Sequence, residues 1–477
     1  MTARAVIASV LLGAGCASPQ TILPQIDRPP DGADADPFTD LDSLDLSVAE
    51  PGASDALISA SFPRGAPVEV SGVELGGQLV VHLVGRQGQT EIAYGRTCPF
   101  DSAVETTPHL YFARTVHWGP MAGAVATTRA GGAALVDAGS GVLLFGGDDG
   151  SGAPVTTVER FVPLAGTFAT LGDASPRHGA IGATLGDGRA VLVGGSAPGG
   201  GAPGFYETIS PTAAAGRAIE RVDSAAYDLA DGAIATLSDG RAIAIGGTGS
   251  DGTPRADVVT FGDEEGLVIA RTSRAHLASA RARHTATRIS DDLGAPVIVI
   301  GGVGSDGVPV AVAELYKPLR DELAAPALFA PRMLVPRSQH RVVRTPDGGL
   351  LVIGGLDAAG LPVRQLELFS IDGGFADAGQ LPVGAGVIDE SVTLLPDGRI
   401  LIAGGRTAVD GPPSTSAFIA RLDPVDGSVD VVPTDQMDAP RLDAQAALLC
   451  DGTVMVVGGG DGAVSGERYN PPEVGRR

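Results

Sequence analysis

The stretch HRVVRTPDGGLLVIGGLDAAGLPVRQLELF, residues 340–369, decides how the chain is read. One apolar run ends at Asp347-Gly348, and a second closes on the doublet Gly354-Gly355. After a short loop, Glu367 stands two residues before the aromatic Phe369. Asp-Gly between two apolar runs signals a tight hairpin, with positive φ expected at both turn residues. A run as short and as uniformly apolar as LLVI reads as a strand covered on both faces.

Working outward, the same constellation returns along the chain. An apolar triplet followed by Gly-Gly occurs as LLFGG, VLVGG, IAIGG, IVIGG, LVIGG, LIAGG and MVVGG. The second glycines are Gly147, Gly195, Gly247, Gly302, Gly355, Gly405 and Gly459, about 52 residues apart on average. Asp-Gly precedes five of them, at Asp187, Asp239, Asp347, Asp397 and Asp451. An aromatic follows fourteen residues after the doublet at Phe161, Phe261, Tyr316 and Phe369, and after different loop lengths at Tyr206, Phe418 and Tyr469. Glu159, Glu314, Glu367 and Glu467 stand two residues before four of these aromatics.

With an arginine and a histidine ahead of the first strand, this pattern resembles the Kelch repeat over residues 109–472. The family's usual late tryptophan is missing, since the only tryptophan is Trp118. The resemblance, of the galactose-oxidase central-domain type, implies four-stranded blades closed into a ring. The seventh repeat supplies three strands before Pro471-Pro472, so the stretch HLYFARTVHW (109–118) is expected to complete that blade. Ahead of the ring, residues 45–100 alternate apolar and polar in ALISASFP, PVEVSGVE, QLVVHLVGRQ and TEIAYGRTCP, which reads as half-buried strands. In strand pattern they are similar to the immunoglobulin-like modules of bacterial surface proteins. The expected fold is therefore all-β: a seven-bladed Kelch-type β-propeller preceded by a small β-sandwich.

Composition agrees with a packed chain. Gly 69 and Pro 35 accompany 44% hydrophobic residues in 477, which excludes disorder for most of the length. A net charge of −23 excludes nucleic acid as a favoured partner. Residues 1–16 carry one cation, an eleven-residue uncharged run and Cys16, and resemble a bacterial lipoprotein signal with Cys16 as the lipidated residue. Gly13 departs from that pattern, and an ordinary cleaved secretion signal is the alternative. Residues 17–44, rich in aspartate, are expected to form an acidic disordered tether. The expected address is the cell envelope, at the outer membrane, reached through the lipid anchor alone.

In an exported chain the remaining cysteines, Cys98 and Cys450, form an even pair. Cys450 falls in a turn of the seventh repeat, on the side where the closing strand would begin. A disulfide there would tie the small domain to the ring; two buried free thiols are the alternative. Among seven histidines no metal-ligand spacing occurs, so neither a metal nor a cofactor is expected. His178, His284 and His340, near Arg177, Arg283 and Arg337, read as partners of inter-blade backbone. Copper-radical oxidases resemble this propeller but need a cysteine beside a tyrosine, and neither Cys98 nor Cys450 is placed for that. The loops GTGSDGTP, GVGSDGVP and LDAAGLP read as turn chemistry.

The longest loops gather Arg271, Arg274, Arg281, Arg283, Arg332 and Arg337, a candidate binding face for an anionic ligand unless nearby carboxylates neutralise it. No catalytic residue is singled out. The leading expectation is a non-enzymatic binding or scaffold protein whose partner is a protein or glycan. The alternatives are a sugar oxidase or epimerase-like enzyme working at the propeller axis, and a structural envelope component.

Overall fold

A computed structural model describes residues 20–30, 36–53, 55–73, 77–214, 216–324, 331–459 and 465–472. The expected signal, Cys16 and parts of the acidic segment lie outside the described residues.

Seven four-stranded antiparallel sheets form the ring. In each, an inner strand A is followed outward by B, C and D. Blade 5, for example, runs Arg341–Arg344, Leu350–Ile353, Gln365–Ser370 and Gly374–Gln380. The B strands are the apolar triplets, buried at every position because neighbouring blades cover both faces. Seven hydrophobic clusters lie one between each pair of adjacent blades, and the seven A strands touch in a closed circle around the axis.

The A–B hairpins differ from expectation in one detail. In Thr345–Gly349 only Gly348 has positive φ, at 86°, and Asp347 accepts from its own loop instead. The turn is a three-residue loop with glycine in the left-handed position, not a two-residue one.

The doublets have a specific task. Gly354 and Gly355 sit at φ 66° and 90°, and the Gly355 N–H donates to the Val387 carbonyl of the next blade at 2.7 Å. The same bond joins Gly195 to Leu229, Gly247 to Arg281, Gly302 to Arg337, Gly405 to Arg441 and Gly459 to Arg129. A Cβ on Gly354 would lie 2.6 Å from that Val387 oxygen, so the first glycine makes room for the contact that the second completes.

Buried ion pairs brace five of the blades internally. Arg129, Arg177, Arg281, Arg337 and Arg441 pair with Glu159, Glu207, Glu314, Glu367 and Glu467, and both partners are almost wholly out of solvent. Arg337 Nη1 also donates to the Gly354 carbonyl at 3.2 Å. Glu367 accepts from the N–H groups of Leu334 and Val335 in the crossing that leads into the blade. Each pair thus ties a crossing to strand C and to the doublet.

Blades 3 and 6 lack both members together. Leu229 with Val259, and Val387 with Phe418, occupy the corresponding positions, and in blade 3 Tyr227 supplies the hydroxyl that reaches the Gly246 carbonyl at 2.7 Å. Strand register therefore corrects two sequence assignments. Phe418 stands at the glutamate position, with Ala420 at the aromatic one. In blade 2 the pair is Glu207 and Ile209, not Tyr206.

Ring closure follows the expected logic with a different segment. The fourth strand of blade 7 is His117–Ala124, paired antiparallel to Ser465–Asn470. The segment His109–Arg114 instead joins the small domain, where Leu110 and Phe112 enter the core. Val116, at φ 59°, turns the chain between the two strands.

The small domain is a sheet whose path runs Gln25–Asp27, His109–Arg114, Thr90–Thr97, Gln78–Gln87, Ser43–Ala49, Ile58–Pro63. A ribbon of Gln20–Ile22 with Val70–Val73 covers it through Ile22 and Val70. Residues 20–30, expected in a disordered tether, therefore contribute two short strands. A disulfide links Cys98, just after the strand Thr90–Thr97, to Cys450 in the A–B turn of blade 7. Beside it Arg96 donates to the Cys450 carbonyl at 2.9 Å, and the Asn470 amide donates to the carbonyls of Tyr94, Ala113 and Arg114.

Removing one partner of a buried pair strands a charge, whereas replacing both with apolar groups does not. Glu367→Gln or Arg337→Leu alone should each destabilise by about 3–5 kcal/mol. The double variant Arg337→Leu/Glu367→Val, which copies the residues of blade 3, should cost less than either single change in urea unfolding.

Candidate active site at the axial mouth

Two residues after each position that bonds the preceding doublet, the chain turns into strand A through a left-handed residue. The seven are Gly131, Gly179, Asp231, Arg283, Gln339, Asp389 and Asp443, with φ between 51° and 72°. Backbone bonds link many of them around the axis: Gly131 N to Asp443 O, Asp231 N to Gly179 O, Arg283 N to Asp231 O, Gln339 N to Arg283 O and Asp443 N to Asp389 O. Holding five non-glycine residues in this region costs roughly 1–2 kcal/mol each, a strain that commonly marks functional sites.

The two glycines open a notch in this circle. Asp443 Oδ2 and Asp231 Oδ1 lie 2.9 and 2.8 Å from where a Cβ on Gly131 and Gly179 would stand, so a carboxylate flanks each glycine. Next to Gly179, His178 Nδ1 is 2.7 Å from Asp148 Oδ1, and both side chains are only partly buried. Nδ1–H donation to the carboxylate leaves Nε2 for a substrate.

Arginines complete the mouth. Arg341 reaches past blade 6, donating from Nε to the Glu390 carbonyl and from Nη2 to Asp443 Oδ1 at 2.9 Å. Arg406 pairs with Asp389 at 2.7 Å, and Arg283 lies 3.6 Å from Asp231. Carboxylates, cations and a carboxylate-oriented imidazole around side-chain-free backbone can bind a polyhydroxylated ligand and move protons on it.

Immediately inside the mouth sit His284, His340 and Glu390, one each from blades 4, 5 and 6, fully enclosed. Burial, reinforced by Arg281 and Arg337 respectively, drives the two imidazoles down to about 3, so both are neutral. Burial pushes the Glu390 carboxyl up to about 7 despite the opposing pull of Arg341. His284 meets the Ile245 backbone of blade 3, Glu390 has no side-chain hydrogen-bond partner, and His340 Nε2 lies 3.2 Å from Thr285 Oγ1.

The arginines expected to share a binding face are not brought together. Arg281 and Arg337 are the buried structural pairs, because they, and not Arg283, occupy the recurring position two residues before the left-handed turn. Arg271 pairs with Glu264 on an outer strand; Arg274 is exposed, and Arg332 bridges to Val312 in a crossing. Only Arg283 reaches the mouth. His178 is partnered by Asp148 instead of inter-blade backbone, whereas His284 meets the Ile245 backbone of blade 3, an inter-blade backbone partner of the expected kind. Asp251, Asp306 and Asp357 accept from their own loops, in keeping with turn chemistry.

No family model matches the chain, and no curated protein does. Among solved structures, that of YjhT is 14% identical, with 61% of this chain and 93% of that chain covered and a TM-score of 0.45. A fungal alcohol oxidase, described as catalytically diverse among the AA5 family and in complex with copper, is 14% identical over 74% of this chain and 76% of its own, with a TM-score of 0.55. The ring is a seven-bladed β-propeller, a fold in which it is similar to that oxidase. The expectation of a propeller without catalysis is accordingly withdrawn, since the shared fold is that of a copper-bound alcohol oxidase.

The residues of this propeller do not fit copper. Both described cysteines are spent in the disulfide, and no three His, Cys, Asp or Glu side chains group as ligands among the described residues. The phenols of Tyr206, Tyr227 and Tyr316 are committed to Val268, Gly246 and Asp321.

The enclosed groups give a signed pH dependence. The unfolded chain protonates His284 and His340 near 6.5 and the native state near 3, so their contribution to stability is lost as pH falls from 6.5 towards 3. Glu390 is the reverse case: its contribution is fully present below about 4.5 and lost as pH rises through 7. The two effects oppose each other between pH 5 and pH 8, so Glu390→Gln, which keeps only the histidine contribution, should show a urea midpoint that rises more from pH 5 to pH 8 than that of the parent protein.

Proposed function

We propose that the protein is an acid–base enzyme of the epimerase-like kind, interconverting the anomers of a small sugar at the axial mouth. The observation that carries the reading is the His178–Asp148 pair beside the Gly179 notch, with the Asp231 carboxylate on its other side. The likeness to an alcohol oxidase supports chemistry on a hydroxylated substrate; the donor set argues for proton transfer in place of copper oxidation.

In this reading Asp231 removes the proton of the anomeric hydroxyl while the His178 imidazolium, held by Asp148, donates to the ring oxygen. The bond between the anomeric carbon and the ring oxygen breaks, giving an open-chain aldehyde. Rotation about the adjacent carbon–carbon bond exposes the other face, and reclosure runs the proton transfers backwards. No oxidant is consumed. Asp443, fixed by Arg341, and the exposed Arg283 hold the remaining hydroxyls. The export sequence expected at the N-terminus would present such a site to extracytoplasmic sugars and glycan fragments.

Two-dimensional exchange NMR on a panel of aldoses tests this. The protein should accelerate anomer exchange for at least one sugar, and His178→Asn or Asp231→Asn should reduce the acceleration by about 10²-fold or more with unfolding midpoints preserved. Absence of acceleration across the panel would overturn the reading.

A further inference from the structure

A second concavity lies away from the axis, where the small domain meets blades 7 and 1. It holds about 390 Å³, within the range of small-ligand sites. One wall is apolar, made by Pro120, Met121, Pro163 and Leu164. The opposite wall is polar: Asp27, Arg28, His109, Tyr111, Asp451 and Arg468.

The polar wall is built around a buried cation. Arg468 is 5% exposed, and burial brings its guanidinium down to about 10. It stacks on the Tyr111 ring at 3.7 Å, pairs with Asp451 and donates from Nε to Thr453 at 2.6 Å. Beside it His109 Nδ1 is 2.7 Å from Asp27 Oδ2, which leaves the second ring nitrogen for a ligand. The Tyr111 hydroxyl is enclosed without any hydrogen-bond partner.

Charge on this wall balances, with Asp27 and Asp451 against Arg28 and Arg468. A ligand bearing net charge therefore finds no spare counter-charge on this wall and leaves one ion of a pair uncompensated. Donors and acceptors are interleaved, which suits hydroxyl groups that do both. The apolar wall facing them suits the C–H face of a saturated ring.

We propose that this cleft is a binding site for an uncharged sugar, a monosaccharide or disaccharide, separate from the axial mouth. The site does not depend on the epimerase-like reading. Its ligand lies against both domains, so the disulfide-linked joint between small domain and ring forms part of the binding surface.

Calorimetry and saturation-transfer NMR of the full chain with neutral sugars, and with the matching uronic acids and amino sugars, test the proposal. At least one neutral sugar should bind with Kd of about 1 mM or below, its charged counterparts about tenfold more weakly. Leu164→Asp, at a rim position 48% exposed and so harmless to folding, and His109→Asn should each weaken binding about tenfold. His178→Asn at the mouth should leave it unchanged. No neutral sugar binding at about 20 mM, equal binding of charged counterparts, equal affinity in Leu164→Asp and His109→Asn, or loss of binding in His178→Asn would each overturn the assignment.

Discussion

The ring depends on one repeated hydrogen bond, from the second glycine of a doublet to the carbonyl of the residue that opens the next blade. Both glycines have positive φ, and a side chain on the first would collide with that same carbonyl. The blade sheets are closed units, so this bond and the apolar clusters between blades set the angle at which one sheet meets the next. The buried arginine–glutamate pairs hold the opening residue in place from within its own blade. Blades 3 and 6 show which part is dispensable: the ion pair is replaced as a unit, while the backbone bond to Leu229 or Val387 persists.

The axial chemistry follows from the same bond. Two residues beyond the bonded carbonyl the backbone turns left-handed, so every blade delivers one residue to the mouth at a fixed height. Side-chain identity there has no bearing on ring packing. That freedom allows two glycines, three aspartates, an arginine and a glutamine to stand at equivalent positions, and the asymmetry makes a site from a symmetric frame.

Much of the fold was legible because it repeats. The B strands are apolar at every position, being covered on both sides, and the doublets have no substitute. Ring closure was harder: His109–Arg114 and His117–Ala124 both alternate, and only the turn at Val116 separates them. Phe418 deceived because aromatic spacing was counted across a loop of altered length, whereas strand register puts it opposite Ile402. Arg281 and Arg283 were confused because two arginines lie two residues apart, one buried and one at the mouth. The site itself left little trace, since Asp148, Asp231, Asp389 and Asp443 share a location and no common motif. The signal of Asp231, Asp389 and Asp443 is positional: a residue type that tolerates left-handed backbone, two places after the position that holds arginine in five blades, whereas Asp148 follows a glycine doublet.

The pairing of His117–Ala124 with Ser465–Asn470 also orders events during synthesis. The outer strand of the last blade leaves the ribosome before any other part of the ring, and its partner is the last strand of the ring to follow. Until then it stays without its sheet, alongside a small domain able to fold early. Because loop-closure entropy grows only slowly with length, the wait costs little at equilibrium, but closure is confined to the time after the ring's last strand has been made. A ring lacking that last strand and the turn that holds Cys450 would carry an open sheet edge and an unmatched cysteine at once.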